Sequence, residues 1–249
     1  MTPAPHFRLT DVTLGYEGHP AVHHLDGVFE AGSMTAVFGP NGSGKSTLLK
    51  GLMGTLKPLS GSIERLDLDA RDIAYLPQAQ EIDRSFPASV HDLVSLGLIR
   101  RTGFFSAVGK GQREEIAMAL EAVGLGGFQR RPIGSLSGGQ LQRSLFARVL
   151  LQNAKVILLD EPFSAIDART VSDLLSLIHR WHAERRTIIA VLHDADLIRA
   201  HFPESLVLAR EPVAWGLSED ALMPANLLKA RRMNEAWDEN APWCEENAA

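Results

Sequence analysis

The stretch Gly39-Pro40-Asn41-Gly42-Ser43-Gly44-Lys45-Ser46 restricts the fold of this chain more than any other. The run before it, Met34-Thr35-Ala36-Val37-Phe38, is short and apolar and ends at Gly39, which predicts a buried strand. After it, Leu48, Leu49, Leu52 and Met53 recur at helical spacing, with Gly54 as a stop and Pro58 just beyond. A strand that passes through a glycine-rich turn into a helix belongs to an α/β architecture. The chemistry of the turn agrees. Gly39, Gly42 and Gly44 permit backbone angles that a Cβ would forbid. Successive N–H groups then point inward at the start of a helix, where the dipole favours anions. In such a phosphate loop Lys45 reaches the β- and γ-phosphates and the Ser46 hydroxyl coordinates Mg²⁺. A glycine-rich turn with a chance lysine would not explain the strand before it and the helix after it.

The flanking patterns extend this reading. Phe7, Leu9, Val12 and Leu14 suggest short half-buried strands, and Ala21–Phe29 suggests another. From about Ser89 to Gln152 the apolar spacing is helical, in Val90–Ile99, Ile116–Val123 and Leu141–Leu151, and no strand is legible. This stretch reads as a helical insertion. Strands return at Lys155–Leu159 and Thr187–Leu192, with a helix at Val171–Glu184 between them. That order predicts a mainly parallel sheet. The tail from about Asn234 is acidic and contains Pro242, and reads as poorly ordered.

Composition limits the function classes. The 249 residues suffice for one large domain, or one with an inserted subdomain. A net charge of -5 argues against nucleic acid bound through a broad basic face. Cys244 is the single cysteine, so no disulfide framework is possible, which suits a reducing cytoplasm. Met1-Thr2-Pro3-Ala4-Pro5-His6 lacks the basic-then-apolar pattern of a leader. No apolar run approaches the roughly 20 residues that span a bilayer. The expectation is a soluble chain, with any transport pore supplied by another chain.

Two further sites carry chemistry. Val156-Ile157-Leu158-Leu159-Asp160-Glu161 is an apolar strand that ends in two carboxylates, and strand ends in such sheets face the ligand crevice. Asp160 suits Mg²⁺, and Glu161 suits a general base that polarises the attacking water. Alone they would read equally as acids opening a loop; beside a phosphate loop the functional reading prevails. Leu136-Ser137-Gly138-Gly139-Gln140 opens a helix, so the N–H groups of Gly138 and Gly139 and the Ser137 hydroxyl make a second anion site. Ser137 is also a good helix cap, and both roles can hold together. His19, His23 and His24 are clustered but read as residues of a strand and turn near the surface, not as a metal site.

The phosphate loop and the Leu136–Gln140 motif, in this order, resemble the ATPase subunit of an ATP-binding-cassette (ABC) transporter, and the likeness runs from about Phe7 to Arg210. The resemblance implies a P-loop NTPase (RecA-like) core with a mainly parallel sheet, an N-terminal antiparallel β part and a helical subdomain. It implies one domain over 1–249: core at 1–88 and 153–215, helical subdomain at 89–152, and a C-terminal helix and tail at 216–249. ATP and Mg²⁺ are the implied cofactors. Gln78 matches the Q-loop glutamine, His193 the switch histidine that contacts the γ-phosphate, and Ser164-Ala165-Ile166-Asp167 the D-loop. Tyr16 matches the aromatic residue on which adenine stacks. Nucleotide contacts are implied for Gly39, Pro40, Asn41, Gly42, Ser43, Gly44, Lys45, Ser46 and Thr47. Ser46, Gln78 and Asp160 are the implied Mg²⁺ residues, and Glu161, His193 and Gln78 the catalytic ones. Ser137, Gly138, Gly139 and Gln140, with Asp167, would complete the ATP site of a second copy in a head-to-tail homodimer.

The segment Arg84–Gly97 is similar to the post-Q-loop stretch of the zinc and manganese importer branch, through Phe86, Pro87, Val90, Asp92, Val94 and Gly97. That likeness implies membrane permease subunits and a secreted or periplasmic metal-binding protein as partners, and no nucleic acid. It places the chain at the cytoplasmic face of the cell membrane and puts zinc ahead of manganese as cargo. Two alternatives stand beside it: the ATPase subunit of another importer (iron chelate or cobalamin) or of an exporter, and a soluble ABC ATPase outside transport. The last class usually carries coiled-coil insertions or paired cassettes, and this sequence shows neither.

Overall fold

The computed structural model describes residues 5–17, 19–103, 109–164 and 166–235. Along the chain run β1 (Pro5–Tyr16), β2 (His19–Glu30), β3 (Met34–Phe38), α1 (Lys45–Met53), β4 (Ser60–Arg65), β5 (Ile73–Leu76), α2 (Val90–Ser95), α3 (Ile99–Thr102), α4 (Lys110–Ala122), α5 (Gly138–Gln152) and β6 (Val156–Asp160). Then follow α6 (Ala168–Ala183), β7 (Thr187–Val191), α7 (Ala195–His201), β8 (Glu204–Ala209), β9 (Glu211–Leu217), α8 (Ser218–Ala221) and α9 (Pro224–Glu235). They form two compact units, one from residues up to 67 and from 191 onward, the other from 68–190.

In the first unit β1 pairs antiparallel with β2 on one side and β4 on the other. A second group runs in the order β3-β8-β9, with β3 parallel to β8 and β9 antiparallel to it. β3 is buried almost throughout, as expected for a strand covered on both faces. Leu48, Leu49 and Leu52 form the buried stripe of α1, and Gly54 closes the helix in the left-handed conformation at φ 84°. Phe7 and Phe29 meet edge-to-face at 6.3 Å in the core beneath the antiparallel sheet.

In the second unit the strands run β5-β6-β7, with β5 and β6 parallel. β6 and β7 are buried at every residue, so both read as unbroken apolar runs. α6 buries Leu174, Leu177, Ile178 and Trp181 at helical spacing, and Trp181 stacks on Phe146 of α5 at 5.9 Å. Between 89 and 152 the described residues hold helices and one isolated bridge, Ser89 to Pro132. The fold is α/β with mostly parallel core strands.

Several local expectations needed correction. The helix expected over Val90–Ile99 is broken: α2 ends at Ser95, a 3₁₀ turn spans Leu96–Leu98, and α3 follows. Gly97 lies in that turn, where a Cβ would stand 2.4 Å from the Arg148 carbonyl of α5, so the close approach of the turn to α5 requires glycine. His23 is buried, not at the surface. Between the pairs Val12↔Leu25 and Leu14↔Val22, β2 carries an extra residue, and this bulge turns His23 inward beside Val22. Burial holds the His23 pKa below the usual histidine value. His24 stays exposed, with Nδ1 2.7 Å from Asp11. The acidic tail from 236 onward lies outside the described residues.

Candidate functional site

In the first unit the phosphate loop leaves β3 and is clamped from two sides. Arg210, at the turn after β8, donates its N–H to the Ser43 carbonyl at 3.1 Å. A Cβ on Gly39 would stand 1.9 Å from the Leu208 carbonyl of β8, and one on Gly44 would stand 2.4 Å from the Ala21 carbonyl. Gly42 and Gly44 both adopt the left-handed conformation, φ 79° and 90°. A side chain is thus excluded at Gly44 by packing as well as by backbone angle, whereas Gly39, expected to need a glycine-only backbone angle, does not adopt one and is required by packing alone. Lys45 is buried, and its Nζ donates to the Gly39 carbonyl at 2.9 Å and the Pro40 carbonyl at 2.7 Å. Ser43 Oγ is buried with no hydrogen-bond partner among the described residues. A buried ammonium, an unpartnered hydroxyl and the N-terminus of α1 gathered in one loop suit a polyphosphate.

Two other expected residues share this unit. The Leu192 N–H donates to the Val37 carbonyl at 3.1 Å, so the exposed His193 leaves the chain beside the strand that feeds the phosphate loop. Asp194 caps α7 through Asp196 N at 2.9 Å and Leu197 N at 3.0 Å, which accounts for that carboxylate without a role in chemistry. Tyr16 ends β1 with nearly half its surface exposed, 48%. Lys50 Nζ lies 5.9 Å from its ring centre, and the exposed ring is a flat platform for an aromatic base.

The second unit holds the carboxylates. Asp160 is fully buried at the end of β6. Its Oδ2 accepts from the Tyr75 hydroxyl at 3.2 Å and its Oδ1 from Gln78 Nε2 at 3.5 Å. The same Gln78 amide donates to Glu161 Oε1 at 3.1 Å, and Ser164 Oγ donates to Glu161 Oε2 at 2.9 Å. Glu161 has φ 46°, a conformation uncommon outside glycine and one that concentrates at functional positions. Gln142, buried on α5, fixes the next turn by donating to the Pro162 carbonyl at 2.8 Å. Sequence reasoning brought Gln78, Asp160 and Glu161 to one place but missed Tyr75, and it placed Ser164 in the D-loop without its bond to Glu161. The Tyr75 signal was available: a tyrosine inside the apolar run Ile73–Leu76 carries a hydroxyl that needs a partner.

The helix-opening motif lies in the same unit. Ser137 is the N-cap of α5: its Oγ accepts from Gln140 N at 3.2 Å, and its N–H donates to Gln140 Oε1 at 3.0 Å. The capping role is therefore realised. Ser137 and Gly138 remain exposed, and the first N–H groups of a helix have no intrahelical partner. The Cβ position of Gly139 lies 3.7 Å from Thr170 Oγ1 and 3.8 Å from Asp167 Oδ2. Asp167 caps α6, accepting from Thr170 N at 2.9 Å and Thr170 Oγ1 at 2.8 Å. These bonds, the backbone one first, hold the Asp167 carboxyl below its usual pKa. Arg143 ties the two helices, with Nη2 2.8 Å from Asp173 and 3.1 Å from Thr170 Oγ1. Ala165 lies outside the described residues.

The ABC transporter family matches residues 22–164, which include the phosphate loop, Gln78, the Ser137–Gln140 motif and the Asp160–Glu161 pair. The chain belongs to the ABC transporter family. It is similar to the manganese transport system ATP-binding protein MntB of Listeria monocytogenes, 38% identical over 82% of this chain and 87% of that protein. It is also similar to the zinc transport system ATP-binding protein TroB of Treponema pallidum, 36% identical over 84% of this chain and 80% of the relative. Among solved structures, the dimeric structure of a bacterial ABC transporter cassette superposes with a TM-score of 0.74 at 27% identity, covering 85% of this chain and 98% of that one. The chain is thus an ATP-binding subunit with ABC-type ATPase activity. No helix among the described residues is long and apolar enough to cross a membrane.

Proposed function

We propose that this ABC ATPase powers import of a divalent transition metal, zinc or manganese, through a separate membrane permease. The ATPase half is supported by a buried lysine in the phosphate loop of the first unit and by a strained Glu161 held by two donors in the second. The cargo half rests on the Phe86–Gly97 segment and on the names of the manganese and zinc relatives.

In this reading the phosphate-loop N–H groups and Lys45 bind the β- and γ-phosphates, and Tyr16 stacks on adenine. Thr47 and Ser46 follow Lys45 into the first turn of α1, where the helix dipole meets the phosphates. Ser46, Asp160 and Gln78 supply oxygen atoms of the kind that Mg²⁺ selects. The ion, when bound, neutralises charge that develops on the phosphate oxygens. Glu161 accepts the proton of the attacking water, and both of its oxygens are already oriented by donors. His193 donates to the γ-phosphate. Gln78, bonded to both carboxylates, reports the state of the site to the segment that follows it.

The subunit acts as a homodimer. Ser137, Gly138, Gly139 and Gln140 form an exposed anion site in the second unit, with Asp167 beside it, and we assign that site to the ATP of a second copy. The permease docks on the segment around Phe86, and a secreted or periplasmic metal-binding protein delivers cargo on the far side. The ATPase itself works at the cytoplasmic face and touches no metal cargo.

Deletion of the gene tests the proposal. Growth should slow when zinc and manganese are withheld, and one of the two should restore it. Rescue by iron chelate or cobalamin alone would overturn the cargo and leave the ATPase assignment standing.

A further inference from the structure

We propose that Tyr75 is a positioning residue for the reaction: its hydroxyl orients the Asp160 carboxylate that receives Mg²⁺. The inference rests on the assignment of Asp160 above and adds a residue with no place in the phosphate loop, the Asp160–Glu161 pair or the Ser137–Gln140 motif.

The geometry is direct. The Tyr75 hydroxyl donates to Asp160 Oδ2 at 3.2 Å, whereas the Gln78 contact to Oδ1 is longer, 3.5 Å. Asp160 is fully buried, so an unoriented carboxylate there would carry a large desolvation cost. Tyr75 is held on both sides of its peptide. β5 pairs with β6 in parallel, with Tyr75 opposite Leu158. Arg148 Nη2, from α5, donates to the Tyr75 carbonyl at 2.9 Å. α5 is the helix that Ser137 opens, so one helix carries the second anion site at its start and the anchor of Tyr75 further on. Donors in this outer position fix which lone pairs a metal-binding carboxylate presents, and their loss typically weakens metal affinity about 10- to 100-fold.

The test is Tyr75→Phe, which removes one oxygen and keeps the ring. Affinity of the purified full chain for ATP is measured twice, in EDTA and in Mg²⁺, together with the Mg²⁺ concentration that half-saturates hydrolysis and the melting temperature. The expected result is unchanged affinity in EDTA, with the half-saturating Mg²⁺ raised about tenfold. An unchanged Mg²⁺ requirement would overturn the proposal. So would equal losses in EDTA and in Mg²⁺ accompanied by a lower melting temperature, since those mark a purely structural tyrosine. Asp160→Asn serves as the reference. If that variant keeps the wild-type Mg²⁺ requirement, the assignment of Asp160 itself is wrong; if it raises the requirement while Tyr75→Phe does not, only the role of Tyr75 fails.

Discussion

Gln78 Nε2 stands 3.1 Å from Glu161 Oε1, which joins the segment after β5 to the carboxylate after β6. The contact places a neutral amide donor on the residue assigned as the base, and Ser164 holds its other oxygen at 2.9 Å. Glu161→Gln keeps the size of the side chain and removes the proton acceptor. Hydrolysis should fall at least about a hundredfold, the usual worth of a general base, while ATP binding persists. Wild-type turnover in the variant, measured as phosphate release, would remove Glu161 from the mechanism.

Lys45→Ala should fail at an earlier step. The ammonium is buried and bonded to the Gly39 and Pro40 carbonyls, so its loss removes both a phosphate partner and a brace of the loop. A charge-assisted contact to phosphate is worth about 1.5–3 kcal/mol, or roughly 10- to 150-fold in affinity. Equilibrium binding of a fluorescent ATP analogue checks this. Affinity equal to wild type would contradict the phosphate-loop assignment.

Gly139→Asp isolates the role of the second anion site. The Cβ position of Gly139 meets nothing closer than 3.7 Å, so the substitution fits, and an acid in the first turn of a helix does not weaken it. What changes is charge: a carboxylate now stands where an anion should bind, near Asp167. The variant should melt near the wild-type temperature yet hydrolyse at a small fraction of its rate. Mixed with Lys45→Ala chains, it should regain part of the activity, because one composite site in each mixed dimer is intact. A mixture no more active than either variant alone would argue against sites shared between two copies.

Much of this was legible because the informative residues stand next to each other in the sequence. The phosphate loop, the Asp160–Glu161 pair and the Ser137–Gln140 motif each need only local backbone and one element boundary. β3, β6 and β7 were readable as apolar runs between polar residues. β4 was not, because Ser60–Arg65 is a largely exposed edge strand with no apolar alternation. β5 is too short for periodicity, and with it went Tyr75, whose partner is 85 residues away. β8 is a buried run that spacing alone does not separate from helix. The inward turn of His23 depends on a bulge set by pairing with β1, a non-local event with no signature in β2 itself.

Phe86 offers the test of coupling. It is one of the most exposed large apolar side chains, 65% accessible, on the stretch between Gln78 and α2. Its projection is fixed locally. Asp83 accepts from Ser85 N at 2.9 Å and Ser85 Oγ at 2.6 Å, the Ala88 N–H donates back to the Phe86 carbonyl at 2.8 Å, and Pro87 restricts the turn. Behind it Ser89 caps α2 reciprocally with Asp92, at 2.9 and 3.2 Å. An exposed aromatic on a rigid turn is the kind of residue that fills a partner's pocket, and such anchors cost about 2 kcal/mol or more when truncated. It contributes little to the core, so Phe86→Ala should melt within a few degrees of wild type. Hydrolysis by the isolated chain should stay near normal, because the phosphate loop, Asp160 and Glu161 are untouched. In cells or proteoliposomes that contain the permease, metal uptake should fall at least about tenfold while ATP is still consumed, and co-purification with the permease should weaken to match. Uptake at the wild-type rate would place the permease contact elsewhere on the surface.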